Sequence, residues 1–305
     1  MRSQKPGRIY DNLWFLGVEE SGVYLLRGNK DTVLVSGGLS YILPDVLTQM
    51  REFEIDPGDI TKCLILHSHF DHVGIVPYFK RKYPAIEVLA SEPAIQAFQN
   101  PKAIEFINGY NHLSAGKKDD SLKGFDLEWR TDIKPLPVRE GDIIDLGGAS
   151  LRIFEMPGHS NCSIAAYEPD GGILFASDTV GIPFSDKLFP AMNTNIEQYL
   201  NSLDKLRHLK VNIFCADHYG FMTGEEAGTI VSVGIKEATA WKKRMYDAFG
   251  NNASNIDAAA KELTTHAYRE MPGYFLDPEI LEGVFKQTLR YISRNLEAGQ
   301  KTQNR

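Results

Sequence analysis

The sequence predicts an α+β chain: a sheet-on-sheet core covered by helices on the outside, followed by a helical C-terminal region. Two successive series of short apolar runs, broken by turn residues and short helical stretches, fill the first two-thirds of the 305 residues. After Gly224 apolar residues recur at helical spacing instead, with no strand signal and no low-complexity linker before them. No internal repeat with a solenoid period is present. The predicted division is 1–224 for the sheet-rich part and 225–305 for the helical one.

In order, the runs at 13–16, 23–26 and 32–35 are separated by Gly, Asn and Asp, which suits a hairpin meander. Residues 44–53 read as a helix ending before the Asp56-Pro57-Gly58-Asp59 turn. The run 60–66 has Lys62 as its single charge, as expected of a strand covered on both faces. A helix at 74–83, a strand at 86–89 and a helix at 92–99 complete the first series. The second has strands near 143–146, 151–156, 163–167 and 172–176, an amphipathic helix at 196–209 and a strand at 211–215. In the helical part, Thr223 and Glu226 have capping-box spacing ahead of Ala227, Ile230, Val231, Ala238, Trp241 and Met245. Ser254 opens a second helix through Leu263. Asp277-Pro278 caps a third, whose stripe is Leu281, Val284, Phe285, Leu289, Ile292 and Leu296.

Composition narrows the function classes. With 43% hydrophobic and 24% charged residues, the chain has the profile of a globular protein. A net charge of −7 gives no general attraction to nucleic acid or anionic lipid. The opening MRSQKPGRIYDNLW lacks the apolar stretch of a signal peptide, and no apolar run approaches the roughly 20 residues of a membrane span. The reading is a cytoplasmic protein with neither nucleic acid nor membrane as partner; oligomeric state stays open, a homodimer among the options. Cys63, Cys162 and Cys215 are too few and too scattered for a disulfide framework, and read as small apolar packing groups.

The chemistry concentrates in Leu66-His67-Ser68-His69-Phe70-Asp71-His72-Val73-Gly74. Four ligand-capable side chains in six positions arise by chance with a probability on the order of 4 × 10⁻⁴. In extended backbone His67 and His69 point the same way, and Asp71 and His72 fall on the turn into the next helix. The spacing suits two adjacent metal positions rather than one. Three further candidates stand where apolar strands end: His159 after Met156-Pro157-Gly158, Asp178 after Ile173-Leu174-Phe175-Ala176-Ser177, and His218 after Ile213-Phe214-Cys215-Ala216-Asp217. The donors are all nitrogen or oxygen, which favours zinc, iron or manganese. Ser68, Ser177 and Asp217 are candidates to orient the imidazoles. His112, His208 and His266 lack such contexts.

His67, His69, Asp71, His72, His159, Asp178 and His218 together resemble, in order and approximate spacing, the ligand set of the metallo-β-lactamase-fold hydrolases, over roughly residues 10–222. The resemblance implies a four-layer αββα sandwich with a dinuclear metal site at one edge. It implies that His67, His69 and His159 hold one divalent ion, that Asp71, His72 and His218 hold the other, and that Asp178 bridges them. Asp71 and Asp178 are then the catalytic carboxylates as well. Val33-Leu34-Val35-Ser36-Gly37-Gly38-Leu39-Ser40, the stretch from His67 to Phe79, and Val88-Leu89-Ala90-Ser91-Glu92 resemble the quinolone-signal-response thioesterases of this fold. That branch acts on 2-aminobenzoylacetyl-CoA and carries an iron pair and a C-terminal helical cap, which here would be 225–305 over the active-site cleft. Two departures are visible. Ser36 stands where much of the superfamily has Asp, and Ile182 stands where the thioesterases have an acidic residue, so the substrate need not be the same.

The implied reaction is attack of a metal-bridging hydroxide on the carbonyl of a small acyl substrate, a CoA-like thioester or a related ester or lactone. Trp241, Tyr246 and Phe249 are candidates for the cleft wall, with plain core packing the alternative. Lys242-Lys243-Arg244 reads as a solvated helix face, with a grip on a CoA phosphate the alternative. Two other functions are compatible with the ligands. A diiron oxidoreductase of the flavodiiron type shares the fold, but such proteins carry Glu in place of His69 and add a flavodoxin domain. A regulatory or interaction protein with a mainly structural metal site is the other.

Overall fold

The computed structural model describes residues 1–116 and 121–303, with side chains through 297. The chain divides into two compact units. The first comprises Met1–Glu155, Cys162–Ser177 and Leu209–Ile230; the second comprises Met156–Asn161, Asp178–His208 and the chain from Val231 on.

Two seven-stranded sheets build the first unit. One lies in sequence order: β2 (Gly7–Tyr10), β3 (Leu13–Val18), β4 (Ser21–Arg27), β5 (Thr32–Val35), β6 (Lys62–Leu64), β7 (Glu87–Ser91) and β8 (Leu136–Val138). Its first four strands are antiparallel and joined by short turns, whereas β5 to β8 run parallel. Parallel neighbours need crossovers, and these are α1 (Leu43–Glu52), α2 (Val76–Lys82), and α3 (Glu92–Gln99) with α4 (Pro101–Ala115). The other sheet has the order β1 (Arg2–Ser3), β16 (Phe221–Thr223), β15 (Ile213–Cys215), β12 (Ile173–Phe175), β11 (Ile164–Glu168), β10 (Ser150–Glu155) and β9 (Ile143–Asp145). Within it β12 and β15 are parallel.

Side-chain alternation sorts the first sheet into two cores. Leu16, Val23, Leu25, Leu34, Cys63 and Val88 meet Val46, Met50, Val76, Phe79 and Phe98 of the covering helices. Leu13, Phe15, Tyr24, Leu26, Val35 and Leu64 face the second sheet, meeting Leu151, Ile153, Ile164, Phe175, Ile213 and Phe221. Each such side chain contributes about 1.5–3 kcal/mol by leaving water. Trp129, fully buried, stacks on Phe98 at 4.2 Å and donates its indole N–H to the Val73 carbonyl at 3.0 Å.

The second unit contains a hairpin of β13 (Ile182–Phe184) and β14 (Lys187–Phe189), then α5 (Ile196–Leu206), α6 (Glu225–Asn251) from Val231 on, α7 (Ile256–Glu270) and α8 (Pro278–Gln303). Its centre is aromatic: Trp241 stacks on Phe285 at 5.8 Å, and Phe189 meets Trp241 at 5.0 Å.

The expected strands, turns and helices are present, with differences that have local causes. The capping box is absent, because Thr223 is paired in β16 and α6 begins at Glu225. Asn255, not Ser254, caps α7: its Oδ1 accepts from Ala258 N at 3.1 Å, while Ser254 is left-handed at φ 63°. That helix runs to Glu270, beyond the expected Leu263. Asp277 caps α8 as expected, accepting from Glu279 N at 2.8 Å. Helix α4, the hairpin β13–β14, the edge strands β1, β2 and β8, and β16 between β1 and β15 are additional.

Candidate metal centre

In the first unit, ligand-bearing turns leave the C-terminal ends of parallel strands, where open α/β sheets place their sites. The segment after β6 carries His67 and His69 and a single 3-10 turn, Phe70–His72, that presents Asp71 and His72. The segment after β15 carries Asp217 and His218. His67 lies with its ring centroid 4.6 Å from His69 and 4.0 Å from His72, and His72 lies 4.9 Å from His218. Asp71, His72 and His218 are buried, and each offers a donor atom within 4.8 Å of the others. The His72 and His218 Nε2 atoms are 3.2 Å apart, and each is 3.5 Å from Asp71 Oδ2.

The far side of these imidazoles is anchored. His218 Nδ1 donates to the Glu20 carbonyl at 2.7 Å, so its Nε2 keeps the lone pair. His72 Nδ1 lies 2.8 Å from Asp217 Oδ2, and His67 Nδ1 lies 3.2 Å from Ser177 Oγ. Three non-glycine residues beside the cluster have left-handed backbone: Ser36 (φ 69°), Ser177 (φ 47°) and Tyr219 (φ 59°). Such strain concentrates at functional sites. Close approach adds a further constraint: a Cβ on Gly74 would sit 2.2 Å from Ser40 N.

The second unit holds His159 and Asp178, both buried, with His159 Nε2 3.4 Å from Asp178 Oδ2. His159 Nδ1 donates to the Ala191 carbonyl at 2.9 Å, so that Nε2 again keeps the lone pair.

These residues fit a first-row divalent metal. A tetrahedral ion with bonds of about 2.0–2.1 Å needs donor atoms about 3.3 Å apart, close to the 3.2 and 3.5 Å edges of the Asp71–His72–His218 triangle. Two imidazole lone pairs facing each other without a cation repel. Asp71 and Asp217 are buried, yet among the described residues their ion-pair contacts are to histidines. Burial of that kind costs several kcal/mol unless positive charge compensates. For Asp71, burial pushes the pKa up, but His72 and His218 outweigh it and hold the carboxyl well below its usual range. The ligand is therefore an anion at neutral pH.

Ser68 does not orient an imidazole: its hydroxyl and amide face Cys162 Sγ, at 3.3 and 3.4 Å. Ser36, absent from the orienting candidates, instead donates to Asp217 at 2.8 Å. Trp241 and Phe249 are buried, the former in the aromatic centre of its unit. Lys242 pairs with Glu197 and Lys243 with Asp247, as suits a solvated helix face. The cysteines are free and buried.

The family profile of the metallo-beta-lactamase superfamily matches residues 16–218, a span that includes every candidate ligand. The chain belongs to the metallo-β-lactamase superfamily. The human acyl-coenzyme A thioesterase MBLAC2 is 27% identical over 168 residues, covering 52% of this chain and 58% of the relative. A hydroxyacylglutathione hydrolase from Rhodopseudomonas palustris is 28% identical over 178 residues, covering 58% of this chain and 55% of the relative. The matches thus span little more than half of those proteins. The solved metallo-β-lactamase family protein TTHA1429 from Thermus thermophilus superposes with a TM-score of 0.65 at 20% identity, over 94% of this chain and 95% of the other. The fold is therefore the α+β metallo-β-lactamase fold with a helical C-terminal region. Among the described residues no helix is long and apolar enough to cross a membrane.

Proposed function

We propose that this metallo-β-lactamase-fold protein is a dinuclear metal-dependent hydrolase that cleaves a thioester, with an acyl-CoA-like substrate first in line and esters or lactones next. The observation that carries the reading is the Asp71–His72–His218 triangle, whose 3.2–3.5 Å edges match a coordination polyhedron. His67, His69 and His159 would hold one ion and Asp71, His72 and His218 the other, with Asp178 as the ligand shared between them. When bound, such a pair supplies a nucleophilic water of lowered pKa and a Lewis acid for the carbonyl oxygen.

The protein's own residues do the rest. Anchored Nδ1 atoms hold the imidazoles with Nε2 forward, so the donor atoms need no reorganisation. Asp71 stays ionised across the neutral range. Asp178 ligates and carries a proton between the nucleophile and the departing group. A thiolate leaving group needs little protonation, so the chemistry does not require a dedicated general acid. The thioesterase and glutathione-thioester relatives support a thioester over other acyl bonds. We place the activity in the cytoplasm, where acyl-CoA is used.

The test is a panel of acyl-CoA, acyl-glutathione and lactone substrates offered to protein loaded with zinc, iron(II) or manganese(II). Turnover of a thioester, lost by about 10²-fold or more in Asp178→Asn, is the expected result. Metal-loaded protein that hydrolyses no member would refute it.

A further inference from the structure

We propose that Asp217 is a positioning residue that sets the tautomer and ring orientation of two ligands, His72 directly and His67 through Ser177. The inference rests on the metal reading above for its purpose, but not for its geometry.

The arrangement follows from strand register. β12 and β15 pair in parallel with Phe175 opposite Cys215, and the offset of that pairing carries on past the strand ends. Ser177 thereby meets Asp217, and its hydroxyl donates to Asp217 Oδ2 at 2.7 Å. From the other sheet, Ser36 follows the end of β5 and donates to the same oxygen at 2.8 Å. His72 Nδ1 is the third partner, also at 2.8 Å. Oδ1 of the same carboxylate is buried with no partner, and Asp217 is only 2% exposed. One oxygen thus gathers three donors.

Counting hydrogens settles the direction of the chain. A carboxylate oxygen only accepts, so the hydrogen of His72 lies on Nδ1. Ser177 has one hydroxyl hydrogen and gives it to Asp217, leaving its oxygen to accept from His67 Nδ1 at 3.2 Å. Both rings then turn Nε2, with its lone pair, away from the carboxylate. Both serines are left-handed, at φ 69° and φ 47°, a conformation that costs about 1 kcal/mol or more and needs compensation. Their bonds to Asp217 provide it. The carboxylate sits across from Ser36, on the segment that also carries His218.

The Asp217 side chain is not what holds that segment in place. The Asp217 carbonyl accepts from Gly22 N at 2.8 Å, and the Ala216 carbonyl accepts from Tyr24 at 2.6 Å. Removing the carboxylate therefore spares the backbone anchors.

The experiment reads imidazole nitrogens directly, by long-range ¹H–¹⁵N correlation at about pH 8, above the unperturbed imidazole pKa of about 6.5, alongside zinc(II) competition titrations. Wild type is expected to show His67 and His72 fixed with hydrogen on Nδ1. Asp217→Ala should mix the tautomers of both rings and weaken zinc(II) binding by about 10–100-fold. Ser177→Ala should release His67 and leave His72 fixed, and it serves as the probe if Asp217→Ala does not fold. Unchanged tautomers at both rings in either folded variant would overturn the proposal. Wild type that binds no zinc(II) but keeps both tautomers fixed would refute the metal reading and leave this assignment standing.

Discussion

The hydroxyl of Tyr24 in β4 donates to the carbonyl oxygen of Ala216, 2.6 Å away, and so ties one sheet to the segment that carries His218 in the other. The same hydroxyl lies 2.9 Å from the Gly220 carbonyl, on the opposite flank of His218. Tyr24 is fully buried, and burial, with Cys215 and Asp217 nearby, pushes its pKa well above the usual value, so it remains a donor at any working pH.

Tyr24→Phe keeps the ring contacts with Phe15 and Phe175 but takes the hydroxyl donor from the Ala216 carbonyl, while the Gly220 carbonyl still accepts from Ala216 N at 3.3 Å. It should cost about 1–3 kcal/mol in chemical denaturation, and zinc(II) should bind more weakly because His218 loses its frame. A variant as stable and as tight-binding as wild type would remove Tyr24 from the account.

Gly74→Ala tests the clasp around the metal-loop turn. Gly74 N donates to Gly38 O at 2.7 Å, Gly37 N donates to His72 O at 2.8 Å, and a Cβ at 74 would collide with backbone at Ser40 and Leu39. Backbone cannot yield as a side chain can, so we expect a loss of about 1–3 kcal/mol in stability, read from the denaturation midpoint. An unaltered midpoint would mean that the loop is free to move aside.

A pH effect is expected from the helical unit. Burial, followed by the Arg244 charge, lowers the pKa of His266, which accepts a hydrogen bond from Arg244 and packs against Trp241. A depressed folded-state pKa means that the unfolded chain binds the proton first. The stabilisation is therefore present above the unfolded value of about 6.5 and is lost as pH falls from there through the lower folded-state value. Unfolding midpoints measured between pH 7.5 and 5 should fall less steeply in His266→Gln, which keeps an acceptor for Arg244, than in wild type. Parallel slopes would contradict the assignment.

The parts of the fold legible in the sequence are those in which pattern and packing coincide. The run around Leu64 is apolar because β6 is covered on both faces, and α3 spans Glu92–Gln99, the stretch expected. In the predicted stripe of α8, Leu281, Phe285, Leu289 and Ile292 are buried and Val284 is half-buried, whereas Leu296 is exposed. Helix α4 escaped notice because its buried residues are Ile107, Asn111 and Ala115, of which Asn111 is polar: its side chain spans Ser40 N and the Phe70 carbonyl. At the site, the His67–His72 cluster announces itself by density alone, since four ligand types in six positions have few other uses. Orienting groups are harder to read. Ser68 sits inside the motif and faces a cysteine, whereas Ser36 stands far away in sequence and reaches Asp217 through pairing across two sheets. Only strand register distinguishes them.

Elemental analysis of full-length protein, purified without chelator and compared with Asp178→Asn, tests the central claim most directly. The account predicts about two zinc, iron or manganese ions per chain in the wild type, and a clear shortfall in the variant with the fold intact. Wild-type protein that carries no such ion, and that takes up none on titration, would contradict it.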